Sequence, residues 1–182
     1  MVIARIRRNL GRFGRDRSGV SALEFALILP VMLVLYFGGN EFGNALTINR
    51  KVTHVTSTIA DLVAQSKSLS NADIANIFDA AASIITPYAA GNLKMRVTLV
   101  TINNVGTATV VWSEAHNHTA LAPNAVVTLP AGVKQNNTWV VMSEVEYPYQ
   151  PMIGYTITGP VNLGQKFYIR PRQATGAIGR TS

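Results

Sequence analysis

Three side chains that could ligate a metal occur at alternate positions of the chain, Glu114, His116 and His118. On an extended segment all three would face one side, and imidazole and carboxylate groups are common zinc ligands. No second cluster of histidines or carboxylates accompanies them, and the segment is typical of a surface loop. We therefore interpret these side chains as a solvated loop and predict neither a metal nor any other cofactor.

Two carboxylates, Glu144 and Glu146, lie two residues apart in a segment with strand character. A regular strand would place both on one face, where like charges close together are unfavourable. A catalytic pair of carboxylates is one interpretation, but carboxylates on an exposed strand are usually polar surface. We therefore expect this face to be solvated, or paired with Arg96 or Lys94 across the sheet.

Sequence motifs of known catalytic chemistry are missing from the chain. No glycine-rich phosphate loop follows a strand, and no GxSxG, HExxH or CxxC pattern occurs. A hydrolase needs a nucleophile, a base and an orienting acid, and serine and aspartate are too common here for their presence to count. The sequence therefore predicts no catalytic residue, and we expect that the protein is not an enzyme.

The remaining chemical feature is Glu24, an acid near the start of a long apolar run. Residues 20–39 would form a helix of about 30 Å, the thickness of a bilayer's hydrocarbon core. An acid at the centre of such a span costs on the order of 2.5–3.5 kcal/mol and requires a partner. One interpretation places Glu24 at headgroup level near Arg15 and Arg17, and the other pairs it with a cation from another molecule.

A basic segment precedes the apolar run, since residues 1–18 carry six arginines and a single acid, Asp16. This asymmetry predicts a cytoplasmic N-terminus, with the chain beyond Asn40 across the membrane. The chain has 16 basic and 9 acidic residues, so without residues 1–19 a net charge of only +2 remains from 10 basic and 8 acidic residues. No basic stripe with interleaved aromatic residues is left, and we expect no binding to nucleic acid.

The N-terminal residues resemble the class III prepilins of the type IV pilus superfamily, specifically the TadE-like minor pilins of tight-adherence (Tad) pili. The residues that carry this resemblance are 15–19, 20–27, 29–30 and 40–43. A second segment resembles the Glu-Val-x-Tyr-x-aromatic-x-Pro pattern of the same family, through Glu144, Val145, Tyr147, Tyr149 and Pro151, with Pro148 between the tyrosines. We expect this segment to cap the core or dock the long helix, or alternatively to form an exposed ledge that contacts another pilin.

The resemblance implies that a membrane prepilin peptidase cuts between Gly19 and Val20. Glu24 would then be the fifth mature residue, followed by Phe25, and the new amine of Val20 in a neighbouring subunit would neutralise it. The processed pseudopilin would act with inner-membrane lipid, other Tad pilins and the pilus assembly machinery in pilus assembly, adhesion and surface colonisation. The alternative is an uncleaved, signal-anchored periplasmic scaffold or binding protein.

The expected fold class is α+β, a long N-terminal helix on a small antiparallel sheet of about four strands. Apolar residues spaced by three and four from Ala45 to Leu62 predict that the helix continues to Gln65, and Pro30 predicts a kink within it. The predicted regions are a basic leader at 1–19, a transmembrane segment at 20–39, a helical extension at 40–66 and a periplasmic or extracellular domain at 67–182.

Within the domain, Ser70 and Asp73 predict a capping box for a second helix over 71–85. Period-two alternation then predicts strands, and the apolar and polar residues that alternate from 94 to 99 predict that the first is half-buried. The first begins at 93 and the others cover 107–113, 138–147 and 166–170, with a hairpin turn at 103–106, a loop at 115–137 and a connector at 154–164. We expect Pro148 and Pro151 to end the third strand and the tail from Gln173 to be frayed.

Overall fold

The computed structural model describes residues 18–151, 159–173 and 176–181. Most of the predicted leader therefore lies outside the described residues, as do five of the eleven residues of the predicted connector and three residues of the predicted tail. The described ranges contain a long helix, a short helix, a four-stranded antiparallel sheet and a two-stranded parallel sheet. The predicted α+β architecture is confirmed.

Helix α1 runs without a break over Ser18–Gln65, 48 residues or about 72 Å. Its helical conformation continues through Pro30, while the predicted kink stays a prediction. The second half of α1 buries the stripe that the sequence predicts, at Ile48, Val52, Val55 and Ile59. Ala60 and Ala64 are fully buried beside this stripe, and the helix contacts the sheet through the bonds from Tyr149 to Glu41 and from Gln165 to Asn49.

The main sheet has the strand order β3-β2-β4-β5, and every neighbouring pair is antiparallel. Its strands are β2 at Lys94–Ile102, β3 at Ala108–His116, β4 at Thr138–Tyr149 and β5 at Val161–Ile169. One face packs on α1 through alternate residues such as Val97, Leu99, Val141 and Val145, all fully buried. The first core thus forms between the amphipathic half of α1 and one face of the sheet.

Helix α2, at Asn71–Ser83, begins with the predicted capping box. The Ser70 amide donates to the Asp73 carboxylate at 2.8 Å, and the Asp73 amide donates to the Ser70 hydroxyl at 3.2 Å. The bond from the Ser70 amide, and a second from the Ser70 hydroxyl to the same carboxylate at 2.7 Å, hold the pKa of Asp73 below its usual value. At the other end the Lys51 ammonium of α1 donates to the carbonyls of Ile84 and Thr86 at 2.9 and 2.8 Å, so α2 runs back along α1.

A second core lies on the opposite face of the sheet, where the sequence predicts a polar surface. Thr98, Val100 and Met142 are buried there, and Leu129 packs over the strands. The loop after β3 folds back and bonds to that strand, with the Val110 amide donating to the carbonyl of Ala125 at 2.9 Å. The prediction of a half-buried first strand is therefore wrong, because this loop shields its second face.

Several strand boundaries differ from the predicted ones. β5 begins at Val161 rather than at 166, so the end of the predicted connector is strand, and β3 continues to His116. β4 continues through Pro148 to Tyr149, so Pro148 does not end it. β2 begins at Lys94, opposite Glu146, and the last residues of β4 pair only with β5. A proline is tolerated on such an open edge, where its missing N–H costs no ladder bond.

The end of the chain is held in place rather than frayed, over residues 176–181. Strand β6 at Gly179–Arg180 pairs in parallel with β1 at Ser68–Leu69. Ile178 is buried, and its carbonyl accepts a hydrogen bond from the indole of Trp112 at 2.9 Å. The single large apolar residue of a small, polar tail thus anchors it, and the prediction of fraying is wrong for this segment.

Candidate assembly site on the N-terminal helix

The first half of α1 extends beyond the rest of the protein. From Gly19 to Asn40 every residue is exposed except Gly38, which is half-buried. Large apolar side chains are uncovered on all sides, with Leu35 70% exposed and Phe25 60% exposed. Within the described residues this is the one helix long and apolar enough to cross a membrane. Such a surface requires lipid or other protein around it.

Glu24 lies one turn after Val20 on this exposed half, about 6 Å along the helix axis. Residues four apart share a helix face, so an amine at Val20 and the Glu24 carboxylate would lie on one side of the helix. The peptide bond between Gly19 and Val20 is in exposed helix, and a Cβ at Gly19 would meet no atom within 4 Å. Nothing inside the described fold thus requires a small residue at this position.

The domain meets α1 at Glu41, only 3% exposed, next to Tyr149, 8% exposed. The Tyr149 hydroxyl donates to the Glu41 carbonyl at 3.5 Å. Burial raises the pKa of Tyr149, and the nearby Glu41 and Tyr88 raise it further. A cleft of about 270 Å³ borders this contact, lined by Asn44, Ile48, Tyr88, Asn92, Tyr147, Pro148, Tyr149 and Gln150. The Tyr-Pro segment therefore docks the long helix, which is one of the alternatives that the sequence left open for it.

Residues 19–61 match the family model of TadE-like proteins. The chain carries a TadE-like helix. The match covers the exposed half of α1, the contact at Glu41 and most of the buried half, and it confirms the resemblance seen in the sequence for this segment. Residues 143–151 lie outside the match, so their resemblance to the same family stays a prediction. No curated protein and no solved structure matches the chain in the same comparisons.

The contact of Tyr149 with the TadE-like helix predicts a clear difference between two substitutions. Tyr149→Ala is expected to lower the free energy of unfolding by about 3 kcal/mol, because it empties a buried aromatic site. Tyr149→Phe is expected to cost less than about 1 kcal/mol, since the hydroxyl makes only a long hydrogen bond. Urea unfolding of the full chain in detergent measures both, and equal losses would contradict a packing role for the ring.

Glu144 lies at the centre of a charge cluster on β4, between two basic neighbours. Nε of Arg96 donates to Oε2 of Glu144 at 2.7 Å, and Nζ of Lys166 lies 2.6 Å from Oε1. Burial raises the pKa of Glu144, but the hydrogen bonds from Lys166 and Arg96 outweigh it, and the net shift is downward. Arg96 also donates to the Thr119 carbonyl at 2.9 Å, which fixes the loop that covers the second core.

The cluster confirms the expected pairing of Glu144 with Arg96 across the sheet. Lys94 lies opposite Glu146 instead. Sequence reasoning missed Lys166, which faces Glu144 from β5; aligning the third and fourth predicted strands in register would have found it. Because two cations neutralise Glu144, this carboxylate is part of a structural ion-pair network.

The structure does not bring the possible metal ligands together. Glu114 and His116 belong to β3, so their assignment to a loop is wrong. Glu114 pairs with Arg180 of β6 at 2.7 Å, while the ring of His116 lies 6.2 Å from that of Phe78. The next residue, Asn117, has a positive φ of 52° that turns the chain, and His118 accepts the amide proton of Thr119 at 2.7 Å. No group of three potential ligands within the described residues is arranged to hold a metal.

Proposed function

We propose that the protein is a minor pilin or pseudopilin of a Tad-type pilus. The observation that carries the proposal is the TadE-like helix, whose first half is apolar on all sides and extends beyond the folded domain. A soluble domain gains nothing from such a helix, since its apolar residues find no partner among the residues that the structure describes. A subunit that moves from a bilayer into a bundle of helices uses this surface in both places.

In the membrane, residues 20–39 span the inner membrane, with the basic leader in the cytoplasm and the α+β domain in the periplasm. Interhelical contacts replace lipid contacts at little cost in apolar burial, because lipid tails are as apolar as the side chains. The proposed partners are therefore inner-membrane lipid, other Tad pilins and the assembly machinery. The role is structural rather than enzymatic, in pilus assembly and adhesion.

Processing by a prepilin peptidase after Gly19 supplies the charge that Glu24 requires. The new ammonium of Val20 in one subunit neutralises the carboxylate of Glu24 in its neighbour, which removes two unpaired charges from an apolar helix bundle. The exposed position of the Gly19 to Val20 bond supports access of a peptidase. A Cβ at Gly19 would meet no other part of the described fold, which supports selection of the small residue by the peptidase rather than by the fold.

The position of the mature N-terminus tests this proposal. We expect intact-mass measurement of the protein from membranes of cells with a complete Tad system to give a chain that starts at Val20. Cells without the peptidase, and a Gly19→Ile variant in normal cells, should both give a chain that starts at Met1. A start at Met1 in peptidase-positive cells would contradict pilin processing and favour the uncleaved, signal-anchored scaffold or binding protein.

A further inference from the structure

The span and the folded domain follow each other without a spacer. The apolar run ends at Gly39, and Glu41, two residues later, is already buried against the domain. Two residues of helix correspond to about 3 Å of rise. The headgroup region on each side of a bilayer is roughly 5–8 Å thick. When residues 20–39 lie in the hydrocarbon core, the contact between Glu41 and Tyr149 therefore lies at headgroup level.

The chain path shows which part of the domain lies at this level. α2 runs back along α1 towards the span, the 3-10 turn at Ala90–Asn92 reverses the chain, and β2 then runs away from it. Tyr88 and Asn92, on either side of the turn, line the cleft beside Asn44. β4 ends at the same place with Tyr149 and Gln150. We define residues 88–92 and 148–151 as the junction end.

The composition of the junction end fits a lipid headgroup layer. Ala89, Ala90, Gly91, Asn92 and Gln150 are exposed and uncharged, so contact with headgroups desolvates no ionised side chain there. Tyrosines, which combine an apolar ring with a polar hydroxyl, are enriched at membrane interfaces, and Tyr88 and Tyr149 lie just behind these residues.

Aromatic residues of the helix mark the same level independently. Tyr36 and Phe42, on either side of Gly39, are 68% and 61% exposed. A tyrosine at the end of a span lies at the interface between hydrocarbon and headgroups, and the exposed apolar ring of Phe42 fits a level that lipid still covers. The residues of the helix alone thus place the boundary between hydrocarbon and headgroups close to Glu41, where the domain begins.

We propose that the junction end rests on the lipid headgroups of the bilayer that the helix spans. The inference depends on the proposed membrane anchor and adds a second lipid contact, made by the domain itself. The domain is thereby restrained against tilting about the end of the span. Withdrawal of the helix from the bilayer has to break this contact as well.

Single-cysteine labelling tests the contact, because the chain contains no native cysteine. Ala90→Cys places a label on the junction end. Val105→Cys is the matched control, since Val105 is 77% exposed in the β2–β3 hairpin and lies about 27 Å farther along β2. Val31→Cys, in the middle of the span, reports insertion. Each full-length variant carries an environment-sensitive fluorophore in phosphatidylcholine–phosphatidylglycerol vesicles.

We expect headgroup-attached quencher lipids to quench the Ala90 label several-fold more than the Val105 label, and aqueous iodide to show the reverse order. Equal responses at both positions would overturn the proposal. Protection of the Ala90 label from iodide without quenching by lipid would also overturn it, since another protein would then cover this end. If acyl-chain quenchers fail to reach the Val31 label, the membrane anchor fails too; if they reach it while the Ala90 label stays in water, only this inference fails.

Discussion

Glu24→Val is expected to leave the protein in the membrane and to remove it from assembled pili. Valine relieves the cost of an acid in the span, on the order of 2.5–3.5 kcal/mol at the centre, so insertion is retained or improved. In the proposed pilus, the Val20 ammonium of the neighbouring subunit would lose its counterion within an apolar bundle. Removing one partner of a buried pair costs about 3–5 kcal/mol, a factor of roughly a hundred or more in an association constant.

Two fractions of the same cells measure this effect. Immunoblots of the membrane fraction give the inserted protein, and immunoblots of sheared pili give the assembled protein. Leu27→Val is the matched control, because it changes a neighbouring exposed side chain of the same helix without changing charge. If the sheared pili contain as much of the Glu24→Val variant as of the Leu27→Val variant, the charge pairing is refuted and the passive anchor is favoured.

The parts of the fold that could be predicted from sequence are those with local signals. Apolar residues at spacings of three and four specify α1 from Ala45 onwards, and the Ser70 and Asp73 pair specifies the start of α2. Alternation locates the strands. In each case the residues that determine the structure belong to a single helix or strand, so the pattern is visible in a short stretch of sequence.

The parts that could not be predicted depend on contacts between distant segments. Thr98 and Val100 become buried only because the loop after β3 returns to cover them. The tail becomes ordered because Arg180 meets Leu69 and Glu114, 111 and 66 residues away. Pro148 continues a strand because β2 does not reach it. The spacing of residues within a segment does not indicate which distant segment will pack against it.

The candidate site likewise has one part that could be predicted from the sequence and one part that could not. The apolar span and Glu24 are visible in sequence because a charge within an apolar run is a local anomaly. The burial of Glu41 is not, since it depends on Tyr149 approaching from the end of β4, 108 residues later. The level at which we propose that the domain meets the membrane therefore follows from the structure and not from the sequence.

Glu144→Ala is expected to lower the free energy of unfolding by about 3 kcal/mol. The Arg96 side chain is only 15% exposed, and it would stay charged after losing its carboxylate partner. Removing one partner of a buried ion pair typically costs about 3–5 kcal/mol of stability. The low end applies because the Lys166 side chain is 61% exposed, and solvent screens its share of the interaction. Arg96 would also hold the loop at Thr119 less firmly.

Urea unfolding of the full chain in detergent measures this loss. Both tryptophans, Trp112 and Trp139, belong to strands of the domain, so their fluorescence reports on the domain rather than on the span. Glu146→Ala is the matched control, two residues along on the same face and opposite Lys94, and should cost less than about 1 kcal/mol. Equal losses for the two variants would contradict the structural role of the Glu144 cluster.

The stability that Glu144 contributes should also depend on pH. Because its pKa is lowered in the folded protein, the unfolded chain binds the proton more readily, and the contribution is complete only above the unfolded pKa of about 4.3. This contribution disappears as the pH falls through the lower pKa that Glu144 has in the folded protein. The pKa of Asp73 is lowered as well. The informative quantity is therefore the difference in unfolding free energy between the wild type and Glu144→Gln, because the contribution of Asp73 is the same in both proteins and cancels. We expect this difference to be constant from pH 7 to about 5 and to shrink below pH 4; a difference that stays the same at pH 3 would mean that the ionised carboxylate does not stabilise the fold.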